Sequence, residues 1–277
     1  MNQRYSVLMS TYKNDNPEYL KQAIESMLNQ TIPPEQYVII EDGPLSEELE
    51  TVIRSYEEKY RTLFTVVRKP KNEGLASALN TGIKAARNDL LARMDSDDIS
   101  MPERCEKELQ AFDEDPDLDI CGCQLVEFIN DDPEQKTLYR IVPCTNEEIK
   151  KFMRRRQPFN HPSVMYKKSS VVRFHGYRKL MRKEDFDLFS RMITGGCRCR
   201  NINEVLYLYR NNEANYVRRK NWQNTSAAFK VYWRHFKRGG CRLNDLILID
   251  GAELFFYLAP TRVMKWVSDK FLRKNAE

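Results

Sequence analysis

Short apolar runs alternate with amphipathic stretches along the first hundred residues. Tyr5–Ser10, Gln36–Ile40, Leu63–Val67 and Leu90–Met94 read as buried strands. Between the first two, Pro17–Asn29 sets Leu20, Ala23, Ile24, Met27 and Leu28 on one helical face, with proline in the first turn. A second helix starts at Ser46, where Glu47 and Glu48 complement its dipole, and a third is predicted over Leu75–Ala86. Strand-then-helix units at roughly 25–30 residue spacing predict parallel strands joined by right-handed crossovers, a Rossmann-like half. Ligands then belong beyond the carboxyl ends of the strands. The polar segments Ser10-Thr11-Tyr12, Glu41-Asp42-Gly43, Arg68 to Gly74 and Asp95-Ser96-Asp97-Asp98 fall at those ends.

The pattern then becomes mixed α+β. A helix is expected over Glu103–Phe112, strands over Asp119–Phe128 and Leu138–Val142, extended chain over Asn160–Lys167 and Ile202–Arg210, and a helix over Glu184–Thr194. From Tyr216 onward the chain reads as two helices separated by Arg238-Gly239-Gly240. We divide it into a first half (1–100), a second half of the same domain (101–215) and a basic amphipathic helical extension (216–277).

Composition narrows the class. At 277 residues the chain is long enough to bury its own core, and with 41% hydrophobic and 31% charged residues it is too apolar for disorder and too polar for a membrane bundle. The first residues, MNQRYSVLMSTY, contain no long apolar stretch of a signal peptide, so the expectation is cytoplasmic. Seven cysteines, an odd number, fit reduced thiols, and the C-x-C pairs Cys121/Cys123 and Cys197/Cys199 are read as buried strand residues rather than a zinc site. The net charge of +5 is unevenly spread: residues 216–277 hold 13 Lys/Arg against 5 Asp/Glu, or +8, which leaves −3 for the remainder.

Three carboxylates in the four residues Asp95–Asp98 repel one another unless a cation joins them. Taken alone, the cluster is either a divalent-metal site or a solvated turn, with Asp98 able to cap the following helix. Tyr12 and Asp42 taken singly read as a packed aromatic and a turn acid before Gly43, and Lys69 and Lys71 as solvated lysines near a loop that could meet phosphate. Glu184 and Asp185 either complement a helix N-terminus or include a general base; His161 either orients a ligand or is a structural strand histidine.

Longer motifs connect these residues. Asn72-Glu73-Gly74-Leu75-Ala76-Ser77-Ala78-Leu79-Asn80-Thr81-Gly82-Ile83, then Ala92-Arg93-Met94-Asp95-Ser96-Asp97-Asp98-Ile99 with Pro102 and Arg104, resemble the family-2 glycosyltransferases of GT-A fold. The likeness extends through Ser6–Tyr12, Ile39–Gly43, Pro158–Met165, Gly176-Tyr177-Arg178, Lys183–Leu188 and Glu204–Arg210, resembling bacterial enzymes that build capsules, exopolysaccharides and O-antigens. It covers residues 4 to about 212.

The resemblance implies an α/β GT-A domain, with a nucleotide-sugar-binding half over 1–100 and an acceptor-binding half over 101–215, and an inverting, metal-dependent transfer of a hexose or N-acetylhexosamine from a UDP-sugar to a hydroxyl of a surface glycan or its lipid-linked precursor. It further implies Mn2+ or Mg2+ at Asp97, with Asp95 reaching ribose or metal and Asp98 assisting. By the same likeness Tyr12 stacks on uracil, Ser10 and Thr11 shape its pocket, and Asp42 accepts from the base N3–H. Asp185 is then the catalytic base, with Glu184 and His161 in supporting or acceptor-facing roles. The chain departs from the pattern after Arg210: many relatives place a metal-ligating histidine there, whereas this sequence has Asn211, Asn212 and Glu213, so that either Asn212 substitutes weakly or water fills the position.

Two other readings compete. A sugar-nucleotide nucleotidyltransferase would carry a Gly-rich loop after the first strand, and Met9–Asn14 contains no glycine. A nucleic-acid-binding protein would use the basic tail with Trp222, Tyr232 and Trp233, but the acidic remainder argues against it, and no nucleic-acid partner is expected. The tail holds no uninterrupted run near the ~20 apolar residues of a membrane span. Its aromatic and basic residues suit peripheral contact with the inner face of an anionic membrane, or packing on the catalytic domain or a second subunit.

Overall fold

The computed structural model describes residues 4–129, 131–211, 221–260, 263 and 274–275. Four parallel strands form the first half: β1 (Tyr5–Thr11), β2 (Gln36–Glu41), β3 (Phe64–Arg68) and β4 (Leu90–Asp95), lying side by side in the order β3-β2-β1-β4. Helices α1 (Pro17–Leu28), α2 (Glu47–Lys59) and α3 (Leu75–Ala85) make the crossovers. Asn16 and Ser46 cap the first two through their side chains, and Gly74 opens the third at φ +88°, a conformation that suits glycine.

The sheet continues without a break into the second half. Beyond β4 come β8 (Met165–Lys167), β6 (Leu118–Phe128) and β7 (Lys136–Arg140), with β9 (Arg198–Arg210) parallel to β6 and paired also to the two-residue β5 (Ile99–Ser100). At the far edge β10 (Lys274–Asn275) pairs with β7. Around these strands lie α4 (Arg104–Glu114), α5 (Asn146–Met153), α6 (Lys168–Arg173) and α7 (Glu184–Thr194). The core occupies both faces of the sheet. One side gathers Leu8, Val38, Leu91 and Ile120 with α3 and α7. The other gathers Val7, Ile39, Ala92 and Cys121 with α1 and α4.

The predicted extended stretch Asn160–Lys167 is only half strand. Pro162 sits in a 3-10 turn (His161–Ser163), and β8 begins after it. All seven cysteines are free, and those of both C-x-C pairs are buried, with burial pushing Cys123 up to about 12. The C-terminal part is the expected helical pair, α8 (Trp222–Lys237) and α9 (Leu243–Leu258), joined through Gly239 at φ +75°. Among the described residues no helix is long and apolar enough to cross a membrane.

Candidate active site

The carboxyl ends of β1, β2 and β4 open into a cleft of about 470 Å³. Ser10, Thr11, Tyr12, Asp42, Asp95 and Asp97 all line it, as the sequence pattern predicts. Asp15 lines it as well, and its role was not legible in the sequence. Its Oδ2 accepts from Thr11 Oγ1 (2.8 Å), Ser96 Oγ (2.7 Å) and the Tyr12 N–H (3.2 Å), tying the loop after β1 to the acidic turn after β4.

Asp42 is the anchor of the opposite wall. Its Oδ1 accepts from Lys69 Nζ at 2.5 Å and the Glu73 N–H at 3.1 Å, and its Oδ2 from the Gly74 N–H at 2.8 Å. A carboxylate offers about four lone-pair sites, so one on Oδ2 is left for another donor. Lys69 is therefore neither solvated nor free for phosphate: it is buried between Asp42 and Glu73. Lys71 remains exposed. Gly43 follows Asp42 because a Cβ there would come within 2.5 Å of the Asn72 backbone nitrogen, on the same loop.

The acidic turn brings ligand atoms of Asp95, Asp97 and Asp98 within 4.8 Å of one another. Each is handled differently. Asp95 faces the guanidinium of the buried Arg93, which donates from Nη2 at 2.5 Å and Nη1 at 3.1 Å. Asp97 opens onto the cleft, and its carboxyl is pushed up to about 7 by protein crowding and by the charges of Asp95 and Asp15. Because Asp97 is open to solvent, we assign the direction mainly to the neighbouring charges. Asp98 does not cap the following helix: α4 begins at Arg104 with Glu103 at its N-cap. Instead Asp98 is buried, its Oδ1 accepting the Arg210 N–H at 2.8 Å, and burial followed by Asp97 and Asp95 raises it far above the carboxylate range. Its Oδ2 is buried without a well-formed hydrogen bond, the nearby Tyr207 hydroxyl working only against the rise. An orphaned carboxylate oxygen beside two further acids is a donor set that fits a hard divalent cation.

Arg210 seals this turn from behind, donating to the Asp97 carbonyl, Gln22 and Asp131 at 2.7–2.8 Å and stacking on Tyr19 and Phe128. Asn211, where the departure from the family pattern begins, donates to Glu127 at 2.7 Å and so belongs to the sheet. Asn212 and Glu213 lie outside the described residues.

A second cleft, about 420 Å³, lies at the N-terminus of α7, lined by Gln157, His161, Arg182, Lys183, Glu184, Asp185 and, from α8, Asn224 and Tyr232. Asp185 Oδ1 accepts the Phe186 N–H at 2.7 Å. Burial works to raise its carboxyl, but His161, the adjacent Gln157 amide, that N–H and Lys183 outweigh it and hold the group below the usual range. His161 itself is pushed down to about 3 by burial and then by Arg93, so at neutral pH it is uncharged and its pull on Asp185 is absent, leaving the Phe186 N–H and Lys183 as the groups that favour the ionised carboxylate. Its Nε2 lies 2.9 Å from the Tyr177 hydroxyl. Glu184 is raised instead, by burial and by Asp185. Two adjacent acids are thus pushed in opposite directions, the usual mark of one ionised group working beside a less acidic one. Arg93 couples the two clefts: it pairs with Asp95 and its charge also lowers His161 and Glu184.

Residues 6–181 match the family described as Glycosyl transferase family 2. The chain belongs to that family, and it is a glycosyltransferase. Over 273 residues it is 32% identical to the Escherichia coli UDP-Gal:alpha-D-GlcNAc-diphosphoundecaprenol beta-1,3-galactosyltransferase, covering 98% of this chain and 97% of that protein. The fold is the GT-A fold of solved glycosyltransferases. A mannosyltransferase from Pyrobaculum calidifontis, in complex with GDP-Man and Mn2+, superposes with TM-score 0.65 at 15% identity, over 97% of this chain and 75% of that one. S. aureus TarS 1-349 with UDP-GlcNAc superposes with TM-score 0.66 at 15% identity, over 94% and 74%. Family membership displaces the nucleotidyltransferase reading.

Proposed function

We propose that this glycosyltransferase moves a hexose or N-acetylhexosamine, with inversion, from a UDP-sugar to a hydroxyl of a lipid-linked precursor of a bacterial surface glycan. The observation that carries the reading is the convergence of Tyr12, Asp42 and the Asp95–Asp98 turn on one cleft, with ionised Asp185 in the next. Residues 1–100 then bind the donor, and residues 101–215 the acceptor.

Uracil recognition rests on Asp42. With Lys69 and two backbone N–H groups already bound, its remaining lone pair suits the N3–H of uracil, which cytosine lacks. Tyr12 offers the stacking face, and Ser10 with Thr11 borders the pocket. The named relatives agree in part: one uses UDP-Gal and one was solved with UDP-GlcNAc, while the mannosyltransferase holds GDP-Man. Asp97, Asp95 and Asp98 would hold Mn2+ or Mg2+, whose contribution when bound is Lewis-acid neutralisation of the departing diphosphate.

On the acceptor side, Asp185 takes the proton of the attacking hydroxyl as its oxygen bonds to the anomeric carbon and the bond from that carbon to the UDP oxygen breaks. Attack opposite the leaving group inverts the centre. Neutral His161 and Glu184 border the acceptor and orient its hydroxyls. A lipid-linked acceptor places the work at the cytoplasmic face of the membrane, with the extension 216–277 in peripheral contact.

The test is a screen of UDP-sugars with Mn2+ or Mg2+, reading UDP release with and without undecaprenyl-diphosphate-linked acceptors. Acceptor-dependent release from one or two UDP-sugars, abolished by chelator, is the expected result. Turnover of a GDP-sugar alone, or full turnover in excess chelator, overturns the donor or the metal assignment respectively.

A further inference from the structure

Helix α9 is apolar on both sides. Its inner face buries Asp245, Leu246 and Ile249 against the domain. Its outer face presents Leu243, Ile247, Leu248, Leu254, Phe255 and Leu258, of which Ile247 and Leu258 are 62% and 67% exposed. At 100° per residue these six, with Asn244, Gly251 and Ala252, occupy half of the helix circumference with no charged residue among them. A helix that has already buried one face gains no fold stability from a second apolar one, so this surface is built to meet something else.

The charges around it identify the partner. In residues 221–260 every exposed charge is positive: Lys230, Arg234 and Lys237 on α8, and Arg242 at the start of α9. The three acids of the segment are withdrawn: Asp245 is bound by Arg154 and Arg155, Glu253 pairs with Lys183 and Arg182, and Asp250 is half-buried. Trp222 and Trp233 stand half-exposed among the lysines and arginines, with Lys237 over the Trp233 ring. A two-fold contact with a second copy would set these like charges toward one another at its rim, whereas an anionic lipid surface neutralises them while the apolar arc enters the acyl boundary.

We propose that the α8–α9 pair is a monotopic docking surface for an anionic phospholipid bilayer, with the outer face of α9 inserted and the cations of α8 on the headgroups. The purpose, though not the surface, rests on the lipid-linked acceptor proposed above. Position supports it. Glu253, on the inner face of α9 between Ile249 and Leu246, holds Lys183 at 2.8 Å, and Lys183 lines the acceptor cleft beside Asp185. The helix that meets the bilayer with its outer face therefore touches, with its inner face, a residue of the cleft that receives the acceptor.

The test uses the full chain with vesicles containing phosphatidylglycerol and with vesicles of phosphatidylcholine alone. The expected result is co-sedimentation with the first and little with the second, weakening at least tenfold between low and high salt. Ile247→Ser with Phe255→Ser, both on the exposed arc, should weaken binding tenfold or more with an unchanged melting temperature. Arg234→Glu with Lys237→Glu should do the same and flatten the salt dependence. Absence of binding by the folded wild type, equal binding to both vesicles, or variants that bind like wild type overturn the proposal. So does a wild type that sediments as a dimer and ignores vesicles while the Ile247/Phe255 variant is monomeric, since a second copy would then cover the face. Sugar transfer to a short soluble acceptor, read as UDP release and measured on the same variants, separates the two readings. Docking without transfer from any UDP-sugar defeats only the proposed reaction, and transfer without docking defeats only the proposed surface.

Discussion

Arg93 and Asp95, two residues apart on one face of β4, form a forked pair in which a fully buried guanidinium holds both oxygens of a half-exposed carboxylate. The acidic turn therefore carries its own internal cation. Arg93 fixes the direction of Asp95 and offsets its charge, while Asp97 and Asp98, which it does not pair with, are both pushed toward their neutral forms.

Replacing Arg93 should loosen that turn. Arg93→Met is expected to weaken Mn2+-dependent UDP binding on the order of tenfold, with Arg93→Lys recovering only part because a lysine lacks the fork. Titration calorimetry with UDP, with and without Mn2+, reads the effect. Equal UDP affinity in both variants and wild type would show that Asp95 needs no fixed direction.

Asp97 is the most open of the three acids and so the one best placed to exchange ligands with the cleft. Asp97→Ala should lower turnover by about a thousandfold or more, in line with several kcal/mol of lost charge stabilisation, and make UDP binding indifferent to Mn2+. The melting temperature without metal should stay level or rise, because a repelled charge has been deleted. A variant that keeps full activity removes the metal from the mechanism.

The acceptor side separates two neighbours. Asp185→Asn should cost roughly 10²–10⁴ in kcat, the usual yield of a positioned base, while UDP affinity stays within a few-fold. Glu184→Gln should be milder, since that carboxyl is already biased toward its neutral form. Small, equal losses in both would return the pair to stabilising the start of α7.

How far this site was legible depends on how far apart its partners lie in sequence. Helix α7 was readable to the residue, Glu184–Thr194, because its apolar period and its acidic first turn agree. The capping box of α5, Thr145 with Glu148, was also written in the sequence, yet that helix has eight residues and buries only Ile149 and Met153, too little periodicity to stand out. Lys69 could not be placed. Its burial depends on Asp42, 27 residues away, which the parallel pairing of β2 with β3 brings alongside. Asp15 and Arg93 were missed for a like reason, since a polar residue in a loop or strand declares its function only when its partner is known. The tail's helices were legible but their place was not. Nothing local says that Glu253 meets Lys183, which the backbone holds at φ +66° immediately before the two acids.

That contact makes the tail part of the second cleft, the proposed acceptor site. Lys183 donates to Tyr232 of α8 at 2.8 Å and pairs with Glu253 of α9 at 2.8 Å. Glu253→Gln with Tyr232→Phe should free it. The expected outcome is a severalfold rise in acceptor KM or fall in kcat, with UDP affinity unchanged and Asp185→Asn no longer additive with the pair. Additive losses would mean that the tether supports the fold and not the base.

His161 supplies a pH test with a definite sign. Its folded-state value is held near 3 by burial and then by Arg93, against 6.5 for the free group. Between those values the unfolded chain takes up a proton that the folded chain refuses, so stability falls as pH drops through 6.5 and continues to fall toward 3. His235, held down to about 4 by burial and then by Arg238, contributes in the same direction. His161→Gln should therefore lose less melting temperature than wild type between pH 7 and about 4.5, and His161→Gln with His235→Gln less again. The carboxylates common to all three proteins cancel in the comparison. Melting curves that shift in parallel across this range would show that His161 takes up its proton in the folded chain as readily as in the unfolded one, and that burial does not hold it neutral.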